Sequence, residues 1–125
     1  MVIDTSAIVA IALDEPEAPE FERRIADDPV RLISAATLLE AVIVIEARLG
    51  EAGGGELDLR LHKASVAVEA ERVDRARRTR RRYGKGRHPA GLNFGDCFSY
   101  ALAALSLEPL LFKGEDFAKT DVRAA

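Results

Sequence analysis

The chain has 125 residues, 48% of them hydrophobic and 31% charged, with a net charge of −3. That length suits one ordinary domain spanning residues 1–125 with a core of its own, and that balance excludes a disordered chain. The longest apolar runs, such as Ala41 to Ile45, are far too short to span a bilayer, and the opening Met-Val-Ile-Asp lacks the regions of a signal peptide.

One cysteine, Cys97, rules out an internal disulfide and fits a reducing cytoplasm. With histidines only at His62 and His88, there is no zinc-type cluster. The charge is unevenly spread. Nine of the 18 Lys and Arg residues fall between Arg72 and His88, against one acid, Asp74, so the rest of the chain is markedly acidic. Such a run meets phosphates or is simply a solvated helix side.

In chain order, Val2-Ile3 reads as a short strand and Ala7 to Leu13 as a helix capped by Thr5 or Ser6. Pro16 and Pro19 punctuate, and Phe21, Arg24 and Ile25 fit an exposed helix ending near Asp27-Asp28-Pro29. Val30 to Ile33 follows as a strand. Ser34 then caps a helix from Ala35 to Leu49 that Gly50 stops. The β-branched run Val42 to Ile45 suits a strand as well, but the length between cap and glycine favours helix.

Gly53-Gly54-Gly55 reads as a loop, Glu56 to Lys63 as a short helix, and Val66 to Val68 as a strand. Val73 to Tyr83 is an arginine-rich helix, followed by a loop with Gly84, Gly86, Pro89 and Gly91. Asn93 caps a helix from about Phe94 to Leu105, and Leu110 to Phe112 is a buried strand. Short apolar strands alternating with helices predict an α/β fold with a parallel sheet.

In such a fold, sites form beyond the carboxyl ends of the strands. Asp4 follows the first strand, Glu115 and Asp116 follow the last, and Asp96 stands in the first turn of the Asn93 helix. Glu40 is in the second turn of the helix after the second strand, so it lies toward the same edge. Alone, Asp4 reads as a turn or cap residue, and Asp96 and Asp116 suit helix N-termini by the dipole alone. Glu40 resists a bland reading, because its helical face-mates Ala36, Ile43, Val44 and Ala47 are all apolar. Glu46, on another face, reads as solvated or paired with a base.

Crowded carboxylates repel, and a hard divalent cation neutralises them. Oxygen ligands without Cys or His favour Mg²⁺ or Mn²⁺. The chemistry expected is phosphodiester hydrolysis, with the metal orienting and activating a water and stabilising the leaving oxygen.

The stretches "MVIDTSAIVAI", "LLEA", "GLNFGDCFSYALA" and "PLLFKGEDFAKTDV" together resemble PIN-domain ribonucleases, in particular the VapC toxins of type II VapBC toxin–antitoxin pairs. The resemblance runs from Met1 to Val122. It implies a three-layer α/β/α PIN-like domain, a short parallel sheet flanked by helices. It further implies a Mg²⁺- or Mn²⁺-dependent endoribonuclease, homodimerisation and a small cognate antitoxin that obstructs the site. The substrate would be structured RNA, commonly tRNA or rRNA, met in the cytoplasm with no membrane involved. Its catalytic and metal-binding acids carry over to Asp4, Glu40, Asp96 and Asp116, with Ser6 as a hydroxyl contact. At the fourth position Glu115 and Asp121 are near and could share the role.

The basic segment fits that reading through phosphate contacts that carry no sequence information. Arg81, Arg82, Lys85 and Arg87, close to the glycine-rich loop, are the candidates for RNA binding. Tyr83 and Phe94 suit base stacking or, more simply, packing. Cys97 reads as a small buried hydrophobe.

Two alternatives stand beside this. A receiver-like phospho-signalling module is also doubly wound, with acids at strand ends and a lysine such as Lys113 after the last strand. It needs a pair of acids after the first strand, where this chain has Thr5-Ser6, and a phospho-accepting Asp after the middle one, where it has Glu69-Ala70. A PIN scaffold that binds RNA without cutting is the other, and the presence of all four acids argues against it. The haloacid-dehalogenase phosphatases need a second Asp where Ser6 stands and are set aside.

Overall fold

The computed structural model describes residues 1–70 and 73–125. Four short strands form one parallel sheet: β1 (Val2–Ile3), β2 (Leu32–Ser34), β3 (Ala67–Glu69) and β4 (Leu110–Leu111), in the order β3-β2-β1-β4. Among the described residues, six helices flank it: α1 (Thr5–Ala12), α2 (Ala18–Asp27), α3 (Ala35–Leu49), α4 (Glu51–Lys63), α5 (Val73–Tyr83) and α6 (Phe94–Ser106). A 3₁₀ turn, Phe117–Lys119, follows β4.

The alternation of strand side chains explains the layers. Ile3 enters a core built with Ile8, Phe21, Ile25, Ile33, Ile45 and Leu57. Its neighbour Val2 enters the opposite one, with Tyr83, Leu92, Tyr100, Leu110 and Phe117. Helices α1 to α4 cover the first face and α5 and α6 the second, which is the expected α/β/α sandwich.

Topology fixes where a site can form. β1 pairs with β2 on one side and with β4 on the other, so the chain's order reverses beside β1. The carboxyl ends of β1 and β4 flank that switch point, where ligands bind in open α/β sheets. The Asp4 N–H donates to Leu111 O at 3.0 Å, tying the two strand ends together.

Helix α3 has the limits read from the sequence. Ser34 Oγ accepts the Thr37 N–H at 3.1 Å, and Gly50 closes the far end. The β-branched run lies inside it, because Thr37, Ala41 and Ile45 recur at helical spacing and are wholly buried. A buried hydroxyl chain, Ser34–Thr37–Ser99, at 2.9 and 3.0 Å, satisfies its polar atoms and links α3 to α6.

Several expectations shift. The cap of α1 is Asp4, not Thr5 or Ser6, and its Oδ2 accepts the Ser6 N–H at 2.9 Å. Strand β2 starts at Leu32 rather than Val30 and takes in Ser34. Strand β3 sits one residue later than Val66, and β4 stops before Phe112.

The largest correction concerns Gly53-Gly54-Gly55, which lies inside α4 rather than in a loop. Close packing against α3 overrides glycine's poor helix propensity. A Cβ on Gly53 would stand 2.7 Å from Leu49 Cβ, and one on Gly54 would overlap the Glu46 carboxylate. The two helices meet where side chains are missing.

Candidate active site

Four segments bring their acids to the switch point. Asp4 ends β1 and is only 2% exposed. Its Oδ2 accepts from both the Ser6 N–H, at 2.9 Å, and the Ser6 hydroxyl, at 2.7 Å. Its Oδ1 is buried and has no hydrogen-bond partner among the described residues. A buried carboxylate oxygen without a donor is costly, and a cation is one way to meet it.

Ser6 does more than hold Asp4. Its Oγ also accepts the Lys113 N–H at 2.9 Å, which draws the segment after β4 against the start of α1. That segment carries Asp116, which is exposed at the head of the 3₁₀ turn.

Glu40 projects from α3 and is half-buried. Glu40 does not face the core as its apolar neighbours along the helix predict. Its apolar face-mates Ile43 and Ala47 are exposed, and the buried stripe of α3 is Thr37, Ala41 and Ile45. Glu40 sits at the boundary between that stripe and solvent. The Thr5 hydroxyl donates to its Oε2 at 2.6 Å. The carboxylate rests against Gly95 of α6, where any Cβ would overlap both of its oxygens.

Asp96 begins α6 in a capping box with Asn93. Its Oδ2 accepts the Asn93 N–H at 2.8 Å, while Asn93 Oδ1 accepts the Asp96 N–H at 2.9 Å. Burial pushes its carboxyl up from 3.8 to about 6, against the Asn93 hydrogen bond, and the charges of Asp4, Glu40 and Asp116 push the same way. All four acids therefore share one electrostatic neighbourhood. Among the described residues no three such side chains come together closely enough to hold an ion as they stand. Glu40 is engaged by Thr5 and Asp96 by Asn93, as repelling carboxylates find other partners.

The arrangement fits a hard divalent cation. It offers oxygen donors only, one of them buried and unpartnered, around a concentrated negative charge.

Asp121 stands apart from this group. It accepts a short hydrogen bond from the Tyr100 hydroxyl, which holds its carboxyl below the usual range, and it pairs with Arg82 at 3.2 Å. Glu115 is exposed beside Asp116.

Of the cationic candidates, Arg81, Lys85 and Arg87 are exposed. Arg82 turns to Asp121 and lies over the Tyr83 ring, 4.7 Å from its centroid. Arg72 lies outside the described residues. Tyr83 is buried, whereas Phe94 is 74% exposed. Cys97 is a buried free thiol, pushed up by burial and by neighbouring Asp96. Lys113, the residue that suggested a receiver, pairs instead with Glu15 and Glu17 at 2.6 and 2.9 Å.

Reading the sequence alone missed Thr5 and Gly95. A signal existed for the second: a glycine in the first turn of an apolar helix lowers helix propensity, and a close approach explains it.

The model of the PIN domain family matches residues 1–123 of the chain. The chain is 65% identical to "Ribonuclease VapC" of Mycolicibacterium smegmatis, over 99% of this chain and 98% of that protein. It is 61% identical to "Ribonuclease VapC30" of Mycobacterium tuberculosis, covering 98% and 95%, and 45% identical to "Ribonuclease VapC28" of the same species, covering 100% and 97%. Its fold matches the crystal structure of Mycobacterium tuberculosis VapC20, described as a Sarcin-Ricin loop cleaving toxin. The TM-score is 0.80 and the identity 18%, over 99% of this chain and 97% of that one.

Proposed function

The chain belongs to the PIN-domain family as a VapC-type ribonuclease, a toxin of a toxin–antitoxin system that cleaves RNA, and we propose that Asp4, Glu40, Asp96 and Asp116 form its hydrolytic centre. The observation that carries this is Asp4. Ser6 fixes one of its oxygens and leaves the other buried and unpartnered among the described residues, while its charge acts on Asp96 together with those of Glu40 and Asp116.

PIN-domain VapC nucleases depend on divalent metal, and Mg²⁺ is the ion proposed here, with Mn²⁺ as its substitute. Asp4, Asp96, Glu40 and Asp116 would hold it. When bound, the cation supplies Lewis acidity for hydrolysis of the phosphodiester and charge for its leaving oxygen. The chain does the rest. Ser6 orients Asp4, Thr5 and Gly95 seat Glu40, and the Asn93 N–H orients Asp96. Fixed carboxylates avoid reorganisation when charge develops.

The finer features follow the family. The substrate is a structured tRNA or rRNA, approached by phosphate contacts from Arg81, Lys85 and Arg87, while Arg82 is held by Asp121. A cognate antitoxin blocks the site. The toxin works in the cytoplasm, and no described helix is long and apolar enough to cross a membrane. It pairs as a homodimer, supported by Leu39 and Ile43 on α3, which are 61% and 60% exposed; sedimentation of the purified chain at the monomer mass would count against this.

Expression in a bacterial host tests the hydrolytic centre. Wild type should arrest growth and yield EDTA-sensitive RNA fragments, while Asp4→Asn and Glu40→Gln should do neither. Equal growth in all three overturns the proposal.

A further inference from the structure

A groove of about 460 Å³ runs between α5 and α6, outside the acidic centre. Its floor is apolar, made by Ala76, Leu92 and Cys97. Phe94 stands at its mouth, 74% exposed, its ring braced at 5.0 Å by Phe98 in an edge-to-face contact. Three cations, Arg77, Arg80 and Lys85, line the rim, and among the described residues no carboxylate does. None of the three takes part in an ion pair among the described residues. Arg82, two residues beyond Arg80, is committed to Asp121.

We propose that this groove is a substrate subsite that takes an unpaired nucleobase of the RNA, stacked on Phe94, with its phosphates on Arg77, Arg80 and Lys85. The inference rests on the ribonuclease reading and adds to it where the strand lies.

An exposed phenyl ring in water has no reason to be held rigid, but a braced ring is a ready stacking platform. An apolar groove with a cationic rim matches a base joined to phosphates in polarity and charge. A second copy of the chain would bring the same three cations against themselves in a two-fold contact, which is unfavourable. Position supports the same occupant. Phe94 and Asp96 stand two residues apart in the first turn of α6, so they point to different flanks of one helix end. A strand crossing that end would place one phosphodiester at the acids and a neighbouring base in the groove.

The test separates this inference from the one beneath it. Binding is measured in an Asp4→Asn background, with an unstructured oligoribonucleotide carrying 2-aminopurine at each position in turn. Binding should quench the fluorescence at one position. Adding Phe94→Ala should abolish that quench and weaken binding by about tenfold, and Phe94→Tyr should restore both. Replacing Arg77, Arg80 and Lys85 by Glu should lower the slope of log affinity against log salt by about 2. Thermal melting checks that each variant folds. RNA affinity and quench unchanged in Phe94→Ala overturn the subsite, and so does a Phe94→Ala effect confined to self-association or to binding of another protein. Wild type that neither cleaves nor binds RNA overturns the ribonuclease reading as well, whereas cleavage by wild type with Phe94→Ala unimpaired overturns the subsite alone.

Discussion

Glu40 depends on two residues that carry no charge. Thr5 donates to one oxygen, and Gly95 leaves the room the carboxylate occupies. Gly95→Ala therefore separates catalysis from folding. Alanine is the better helix former by about 1 kcal/mol, so the melting temperature should hold or rise. The new methyl group must displace Glu40, and RNA cleavage should fall by at least about tenfold, in the range that a misplaced catalytic group costs. Unchanged cleavage would remove Glu40 from the centre. Asp96 yields a second outcome. Its carboxyl is raised from 3.8 to about 6, so charging it opposes folding of the cation-free protein. That stability is fully present below about pH 3.8 and is lost as pH rises through about 6. In EDTA, Asp96→Asn should leave the melting temperature unchanged near pH 4 and raise it by a few degrees near pH 8. A difference that does not vary with pH would contradict the electrostatic cluster.

Elements with strong local signals were legible before the fold was known. Ser34 and Gly50 bracket α3, and Asn93 caps α6, because hydrogen-bonding caps are local chemistry. The α3–α4 contact was not legible, because it depends on a neighbour distant in space rather than on propensity. The three glycines of α4 now separate by what surrounds them. A Cβ on Gly55 would meet nothing within 4 Å beyond its own helix backbone, whereas one on Gly53 would stand 2.7 Å from Leu49 Cβ. Gly55→Ala should stabilise the protein by about 1 kcal/mol through helix propensity, and Gly53→Ala should destabilise it by pushing α4 off α3. Chemical denaturation reads both; a Gly53→Ala variant as stable as Gly55→Ala would show that close approach does not explain the glycines.

Across the whole molecule, strand order does what no single motif could. Placing β1 between β2 and β4 puts Asp4 beside the segment that carries Asp116, while the helices after β2 and before β4 supply Glu40 and Asp96. The order of these acids along the chain was readable, and so was the α/β class that gathers them. What escaped was orientation. Glu40 lies at the edge of the buried stripe rather than within it, and Arg82 is drawn away to Asp121, because both follow from side-chain contacts between segments remote in sequence. The site's central claim is that Asp4 and its three neighbours work as one cation-dependent centre. Cleavage of an end-labelled RNA by the purified chain, followed across a Mg²⁺ titration, tests this most directly. Wild type should cut in proportion to bound Mg²⁺ and stop in EDTA, and Asp4→Asn, folded and still able to bind the RNA, should not cut at any Mg²⁺ concentration. Cleavage by Asp4→Asn at the wild-type rate, or cleavage by wild type that persists in EDTA, would contradict it.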